Sequence, residues 1–463
     1  MTVIIGAQLR IHDPTPELIA WVRAELVIDN PEYVRRVRMG KWTGNTPAKL
    51  ALYETDGPDL LLPYGTLYDV FRRFVEKPRE FAHTRPYNLP VNYWGSVPLY
   101  DYQKEAVRVM RDKICGILQA PAGSGKTQMG IDLIMRLQAR ALWITHTQDL
   151  LKQSRDRALK YIDRKLIGTI TAGKVDIGEG VTFATVQTLV HQDLARYRDT
   201  WDVIIVDECH RVSGTPSVLT MFSKVLNSLN ARHKYGLSAT VHRSDGMIKA
   251  THALLGPVQY TVPQEAVADK IMRVTVQAVP TGVGLTPDCL GPDGMLNYAN
   301  LITYLTEHEE RNALILRIMR REPEESFIIL SERLEHLELL INLLPADMRE
   351  RAVTINGHMT TKVLKAQREA AVEQMRTGEK RYLFATYSLA KEGLDIPRLS
   401  RLIMATPQGD YAVVTQSIGR IARTFEGKSS PVCYDLVDNA PYLIKRYKNR
   451  CTIYRKAGCT IEC

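Results

Sequence analysis

No stretch of this 463-residue sequence stays apolar for the roughly 20 residues that a membrane-spanning helix needs. The opening MTVIIGAQLRIHD lacks the basic start, long apolar centre and cleavage site of a secretion signal, so a cytosolic location in a bacterial or phage-infected cell is expected. Cysteine is scarce: 7 residues, an odd total with no C-x-x-C pair, which excludes a disulfide framework. The tail trio Cys451, Cys459 and Cys463 is loosely spaced with no histidine nearby, a poor zinc set. Low-complexity segments and short-period repeats are also missing.

What is present is the material of a globular protein, 45% hydrophobic and 24% charged, long enough for about three domains. Lys and Arg number 61 against 51 Asp and Glu, a net charge of +10 that favours polyanionic partners through counterion release.

From about residue 100 short β-branched runs alternate with helical patterns. Strands are expected at ICGILQ, ALWIT, VTFAT and DVIIV, with helices at DYQKEAVRVMRD, from Lys126-Thr127 onward, and over QDLLKQSRDRALKYI. A second alternation from 311 carries strands SFIILS, AVTI, YLFAT, RLIMAT and VCYDL between helices such as RLEHLELLINLL and AVVTQSIGRIAR. This wiring implies an α/β fold with two tandem parallel sheets, over 96–258 and 311–440, with a cleft between them. The Gly/Pro-rich 259–310 reads as linker and insertion, 1–95 as a small accessory domain, and 441–463 as a basic tail packing on the second domain.

The stretch VIIVDECH poses a chemical question, because Asp207, Glu208, Cys209 and His210 fit a zinc site, a thiol nucleophile with its base, or neither. Ala120-Pro-Ala-Gly-Ser-Gly-Lys-Thr127 follows an expected strand and opens an expected helix, the context of a phosphate-binding loop. Ala122, Gly123, Ser124 and Gly125 would turn backbone N–H groups onto phosphate oxygens, Lys126 would reach the β- and γ-phosphates, and Thr127 would ligate Mg²⁺. Ala120 replaces the first glycine of the strict pattern. Such a loop needs a second strand end that delivers an acid to magnesium and a base to water. VIIVDECH supplies both: Asp207 for the metal and Glu208 for the hydrolytic water. Four consecutive residues on an extended segment point to alternate faces and wrap a tetrahedral zinc poorly. ATP and Mg²⁺ are the expected cofactors.

With these motifs in order, the sequence resembles the superfamily-two helicases and translocases over about 98–436. The resemblance implies that Gln103 in LYDYQKEAV contacts adenine and that ITHTQDLLKQ and ATVQTL touch the nucleic-acid strand through His146, Thr147, Thr185 and Gln187. It implies that LSAT, with Ser238 and Thr240, couples hydrolysis to domain movement, His210 assisting. ILSERLEHLELL, with Ser331, stands in the place of the fourth motif. In ATYSLAKEGLDIP, Thr386 and Ser388 would meet the strand while Gly393 and Asp395 approach the nucleotide. In QSIGRIAR, Gln416 would face the nucleotide while Arg420 and Arg423 reach the γ-phosphate from the opposing domain.

Asp-Glu-Cys-His and Gln416 depart from the RNA-directed members, and VHRSDGM is similar to DNA-directed ones. The compact length is most similar to phage fork-remodelling helicases of the UvsW type. RRVRMGKW interleaves Arg36, Arg38 and Lys41 with Trp42, suited to gripping duplex or branched DNA. The expectation is an ATP-dependent DNA helicase or translocase acting on forks and junctions. An RNA helicase, a restriction-system motor or a nucleotide-gated clamp are the alternatives.

Overall fold

A computed structural model describes residues 1–75, 87–121, 123–171, 173–213, 215–239, 247–267, 271–292, 294–355, 362–391 and 396–462. Ala122, Thr240, Arg243, Asp245, Gly393, Asp395 and Cys463 lie outside them. The chain forms two compact units, one of Met1–Pro121 with Gly125–Pro263, the other holding Gln264–Cys463.

In the first unit the four runs read as strands join four others in one sheet, in the order Lys174–Asp176, Ile167–Thr171, Val181–Thr185, Ala141–Thr145, Val203–Asp207, His233–Ser238, Cys115–Gln119, Val258–Thr261. All neighbours are parallel except the first pair. Every residue of Ala141–Thr145, Val181–Thr185 and Val203–Asp207 is buried, because helices cover both faces and an alternating pattern would leave polar side chains in the core. The parallel register sets the carboxyl ends of these strands along one edge.

Residues 1–75 add a four-stranded antiparallel sheet, Thr2–Ile5, Leu9–His12, Asp59–Leu62, Glu54–Asp56, with helices Pro16–Glu25 and Leu67–Phe74. They are not the separate accessory domain expected up to residue 95. Their core of Leu9, Ile11, Leu18, Leu62 and Leu67 continues into Cys115 and Ala253 of the larger sheet's layer. Gly65 permits this approach: a Cβ there would lie within 2.7 Å of the Ala253 carbonyl.

Lys234, fully buried, fastens the two layers. Its Nζ donates to Ala7 O at 2.7 Å and Leu226 O at 2.6 Å and lies 4.7 Å from the Tyr64 ring centre. Burial pulls its pKa down to about 7. Between that value and the usual pKa above 10, the unfolded chain carries a proton that the folded chain lacks, so stability should rise with pH there. Urea denaturation at pH 7, 8 and 9 should show wild type gaining on Lys234→Met by up to about 1.4 kcal/mol per pH unit. Parallel stability curves would reject this.

The second unit has a parallel sheet in the order Ala352–Ile355, Tyr382–Thr386, Phe327–Ser331, Arg401–Met404, Val432–Val437, Thr275–Pro280, Thr460–Glu462. The segment read as linker therefore contributes an interior strand, Thr275–Pro280, and the helix Tyr298–Glu307. The basic tail supplies helix Pro441–Lys456 and the edge strand Thr460–Glu462. Arg450 and Tyr454, both in the basic-aromatic run, face inward: Arg450 makes two 2.8 Å bonds to Asp435 and one of 2.9 Å to Gln408 O, and Tyr454 donates to Asp435 at 2.7 Å. Among the described residues no helix is long and apolar enough to cross a membrane.

Candidate nucleotide site

Strand Cys115–Gln119 runs into the loop, and helix Lys126–Leu137 starts where the motif places it. Gly123 and Gly125 adopt φ of 85° and 81°. Only glycine serves at Gly125: beyond the strain of left-handed backbone, a Cβ would press on the Gln103 amide and stand 2.9 Å from Gln128 Oε1. Lys126 is 9% exposed, its Nζ 3.4 Å from Ala120 O and 3.6 Å from Glu208 Oε1.

On the strand two positions away, Asp207 ends Val203–Asp207 and Glu208 turns into left-handed backbone at φ 49°. Asp207 Oδ1 accepts from the Glu208 N–H and Oδ2 from Ser154 Oγ, both at 3.0 Å. Burial and the neighbouring Glu208 push Asp207 up to about 6. Burial acts the same way on Glu208, but Lys126 and a hydrogen bond from His210 outweigh it and hold that carboxyl below its usual range. His210 Nδ1 lies 3.2 Å from Glu208 Oε2 and 3.0 Å from Ser238 Oγ, so the imidazole joins the carboxylate to the Ser-Ala-Thr motif.

The zinc and thiolate readings of DECH fail on this geometry. Cys209 is buried against Gly236, and burial raises its pKa well above the usual thiol value, so it stays protonated filler. Asp207 is held by Ser154, while Glu208 and His210 face each other, Lys126 and Ser238. No group of three or more His, Cys, Asp or Glu gathers for a metal among the described residues.

A glycine cradle at a helix N-terminus, a buried lysine, and the hard oxygens of Thr127 and Asp207 fit a magnesium-bound triphosphate, which keeps most of its coordination on water and phosphate. Gln103, expected at adenine, is 2% exposed, and its Oε1 accepts from the Tyr100 N–H at 2.9 Å, capping its own helix Asp101–Arg111.

The expected strand-contacting residues divide. Thr147 and Thr185 sit at strand ends, but their hydroxyls cap helices Gln148–Ala158 and Val186–Leu189. Gln187 Nε2 meets His146 Nδ1 at 3.1 Å, and burial first, then Arg211 and His210, lower the His146 pKa. In the second unit Thr386 and Ser388 share a 2.8 Å hydrogen bond, and Ser388 is exposed. Ser331 is a correction. It is fully buried, bonded to His336 Nδ1 at 3.0 Å and to the Arg333 N–H at 3.1 Å, so its side chain organises the loop after its strand rather than facing solvent. Arg36 is held by Glu32 at 2.9 Å, while Arg38, Lys41 and Trp42 are exposed, Trp42 at 85%.

In the same unit as Ser331, helix Tyr411–Ile421, capped by Asp410 at the Val413 N–H, carries Gln416 and Arg420, and Arg423 lies just beyond it. Gln416 is 8% exposed, and its Oε1 has no hydrogen-bond partner among the described residues.

Ser154, the second partner of Asp207, was not foreseen. Its signal lies in the sequence all the same: Leu151, Ser154 and Ala158 form the buried stripe of helix Gln148–Ala158, and a lone hydroxyl on an apolar stripe needs a partner.

Residues 96–243 match the family described as type III restriction enzyme, res subunit, and residues 310–425 match the helicase conserved C-terminal domain, together more than half the chain. A protein of Acanthamoeba polyphaga mimivirus, named as a candidate ATP-dependent RNA helicase, is 26% identical over 353 residues, which cover 75% of this chain and 65% of that protein. The DNA 3'-5' translocase XPB2 of Sulfurisphaera tokodaii is 24% identical over 389 residues, 77% of this chain and 85% of its own. Among solved structures, S. cerevisiae Dbp5 bound to RNA and ADP BeF3 superposes with a TM-score of 0.55 at 17% identity, covering 79% of this chain and 90% of Dbp5, a likeness of fold. Two parallel-sheet units in tandem, a phosphate loop facing an Asp-Glu strand end, and both domain matches in order make this chain a member of the superfamily-two helicases, enzymes that use ATP.

Proposed function

We propose that this chain is an ATP- and Mg²⁺-dependent DNA translocase that remodels branched or forked DNA by unwinding, branch migration or fork regression. The reading is carried by one juxtaposition, Lys126 within 3.6 Å of Glu208 beside the buried Asp207. Lys126 and the glycine cradle hold the terminal phosphates, while Thr127 and Asp207 orient the magnesium, which draws off phosphate charge when bound. Glu208, kept ionised by Lys126 and oriented by His210, takes the proton of the attacking water. Since His210 also meets Ser238, a change in the charge on Glu208 is felt at the coupling motif. Arg420 and Arg423 supply cationic charge for the transition state.

DNA is favoured by the name of the archaeal translocase and by the res-subunit match. The exposed cations Arg38 and Lys41 beside the exposed Trp42 suit a duplex end, pairing phosphate neutralisation with a stacking surface. An RNA helicase is the second reading, favoured by the name of the mimivirus relative.

Hydrolysis rates across single-stranded, duplex, forked and four-way DNA and single-stranded RNA test the proposal. Forked and four-way DNA should stimulate most, and Trp42→Ala should weaken fork binding about 5- to 100-fold, the range for losing one stacked base. RNA stimulating as well as DNA, or Trp42→Ala binding forks like wild type, would replace this reading.

A further inference from the structure

Lys428 lies in the loop between helix Tyr411–Ile421 and strand Val432–Val437, outside every motif read above. Its Nζ donates to Arg423 O at 2.6 Å, Ile421 O at 2.7 Å and Pro397 O at 3.1 Å. An ammonium has three N–H groups, and three neutral carbonyls take them. One belongs to the last residue of the arginine-bearing helix, where carbonyls lack intrahelical partners and carry the negative end of the helix dipole, and one to Arg423 just beyond it. The third lies two residues past Asp395. One cation thus ties together the two segments of the second unit assigned to the nucleotide.

The tie is itself held. The Lys428 N–H donates to Phe425 O at 3.1 Å, and Ser429 Oγ to Glu325 Oε2 at 2.7 Å. Arg401 Nη1 reaches Ser429 Oγ at 3.1 Å and Ser430 O at 2.9 Å. On the other side of the helix end the Met272 N–H donates to Ala422 O at 2.7 Å, and Ile271 bridges Arg423 through the backbone. Residues 421–423 are therefore clamped from two directions, and Lys428 is the arm that also reaches the 396–398 turn. Burial and the nearby Arg423 and Arg401 lower its pKa to about 8, against a smaller opposing pull from Glu325. A lysine kept there for packing alone could as well be a longer aliphatic chain.

We infer that Lys428 is a positioning residue for ATP hydrolysis, fixing the backbone from which Arg420 and Arg423 act and locking it to the turn that follows Gly393 and Asp395. The inference rests on the proposed roles of those arginines. An ordinary helix cap would affect stability alone, whereas a positioning residue affects kcat.

The experiment uses the full chain with single-stranded DNA as activator and compares wild type, Lys428→Met, Lys428→Arg and Arg420→Ala. It measures kcat, KM for ATP, binding of a fluorescent ATP analogue, and Tm. Lys428→Met should lower kcat on the order of 10- to 100-fold, the scale set by misplacing a catalytic group by about 1 Å, with KM and analogue binding near wild type. Lys428→Arg, which can span the same carbonyls, should recover most of kcat. Should the methionine variant fail to fold, Lys428→Gln, which keeps two N–H donors without the charge, is read in its place. Wild-type kcat in Lys428→Met, or a fall in Tm with kcat per folded molecule unchanged, overturns the inference while an inactive Arg420→Ala leaves the proposed function standing. A fully active Arg420→Ala would instead remove the role on which the inference rests.

Discussion

ATP hydrolysis by Lys126→Ala should fall at least on the order of 10²- to 10³-fold below wild type, and Glu208→Gln should lose on the order of 10²- to 10⁴-fold while still binding nucleotide. The two losses differ in kind. Lys126 opens the helix at the end of the loop and is 9% exposed, so its removal strips charge from a site that water cannot replenish, and both binding and turnover suffer. Glu208→Gln keeps the shape and the position beside His210 but cannot accept a proton from water. Stopped-flow binding of a fluorescent ATP analogue, run beside DNA-stimulated phosphate release, separates the two. Turnover within tenfold of wild type by either variant would remove these residues from the site.

Arg450→Ala should cost about 3–5 kcal/mol, the usual penalty for leaving one partner of a buried ion pair uncompensated. Arg450 and Asp435 are each 2% exposed on the side chain and joined by two 2.8 Å bonds, and Tyr454 adds a third bond to the same carboxylate. For a unit of this size the loss corresponds to a fall in Tm of about 6–20 °C. Replacing both partners, Arg450→Met with Asp435→Leu, should recover much of that, because no charge is then stranded. The ammonium-and-aromatic run KRYKNRCTIYRK thus has two faces: Arg450 and Tyr454 hold the tail helix to the sheet, while Lys445, Lys448, Arg455 and Lys456 stay in solvent. Calorimetry showing Arg450→Ala as stable as wild type would mean that the pair contributes nothing to the fold.

Much of the site was legible because parallel-sheet strands announce themselves. VTFAT, ALWIT, AVTI and YLFAT end where continuous apolar runs end, and in a parallel sheet those ends carry the chemistry. The strand His233–Ser238 was not foreseen from its residues, since HKYGLS mixes a histidine and a lysine into what proves to be a fully buried strand. Those two side chains find partners that no local pattern shows: Lys234 in the distant Ala7 O as well as the nearby Leu226 O, and His233 in the distant Tyr87 and Lys113 O. Thr275–Pro280 was missed for the opposite reason. It sits among Gly- and Pro-rich neighbours that read as linker, and it is ordered by pairing with Val432–Val437 and Thr460–Glu462, strands more than 150 residues away in the chain, with Val276 buried in the core.

Local order therefore determined the phosphate loop, the Asp-Glu strand end and the sequence of motifs, because each depends on residues within one strand, turn and helix. Tertiary structure alone decided that residues 1–75 share a core with the first sheet, that Ser331 is buried while Ser388 is exposed, and that Lys428 clamps the end of the arginine helix. Each of those facts depends on how separate segments pack together, and such packing leaves no periodicity or spacing from which it can be read in advance.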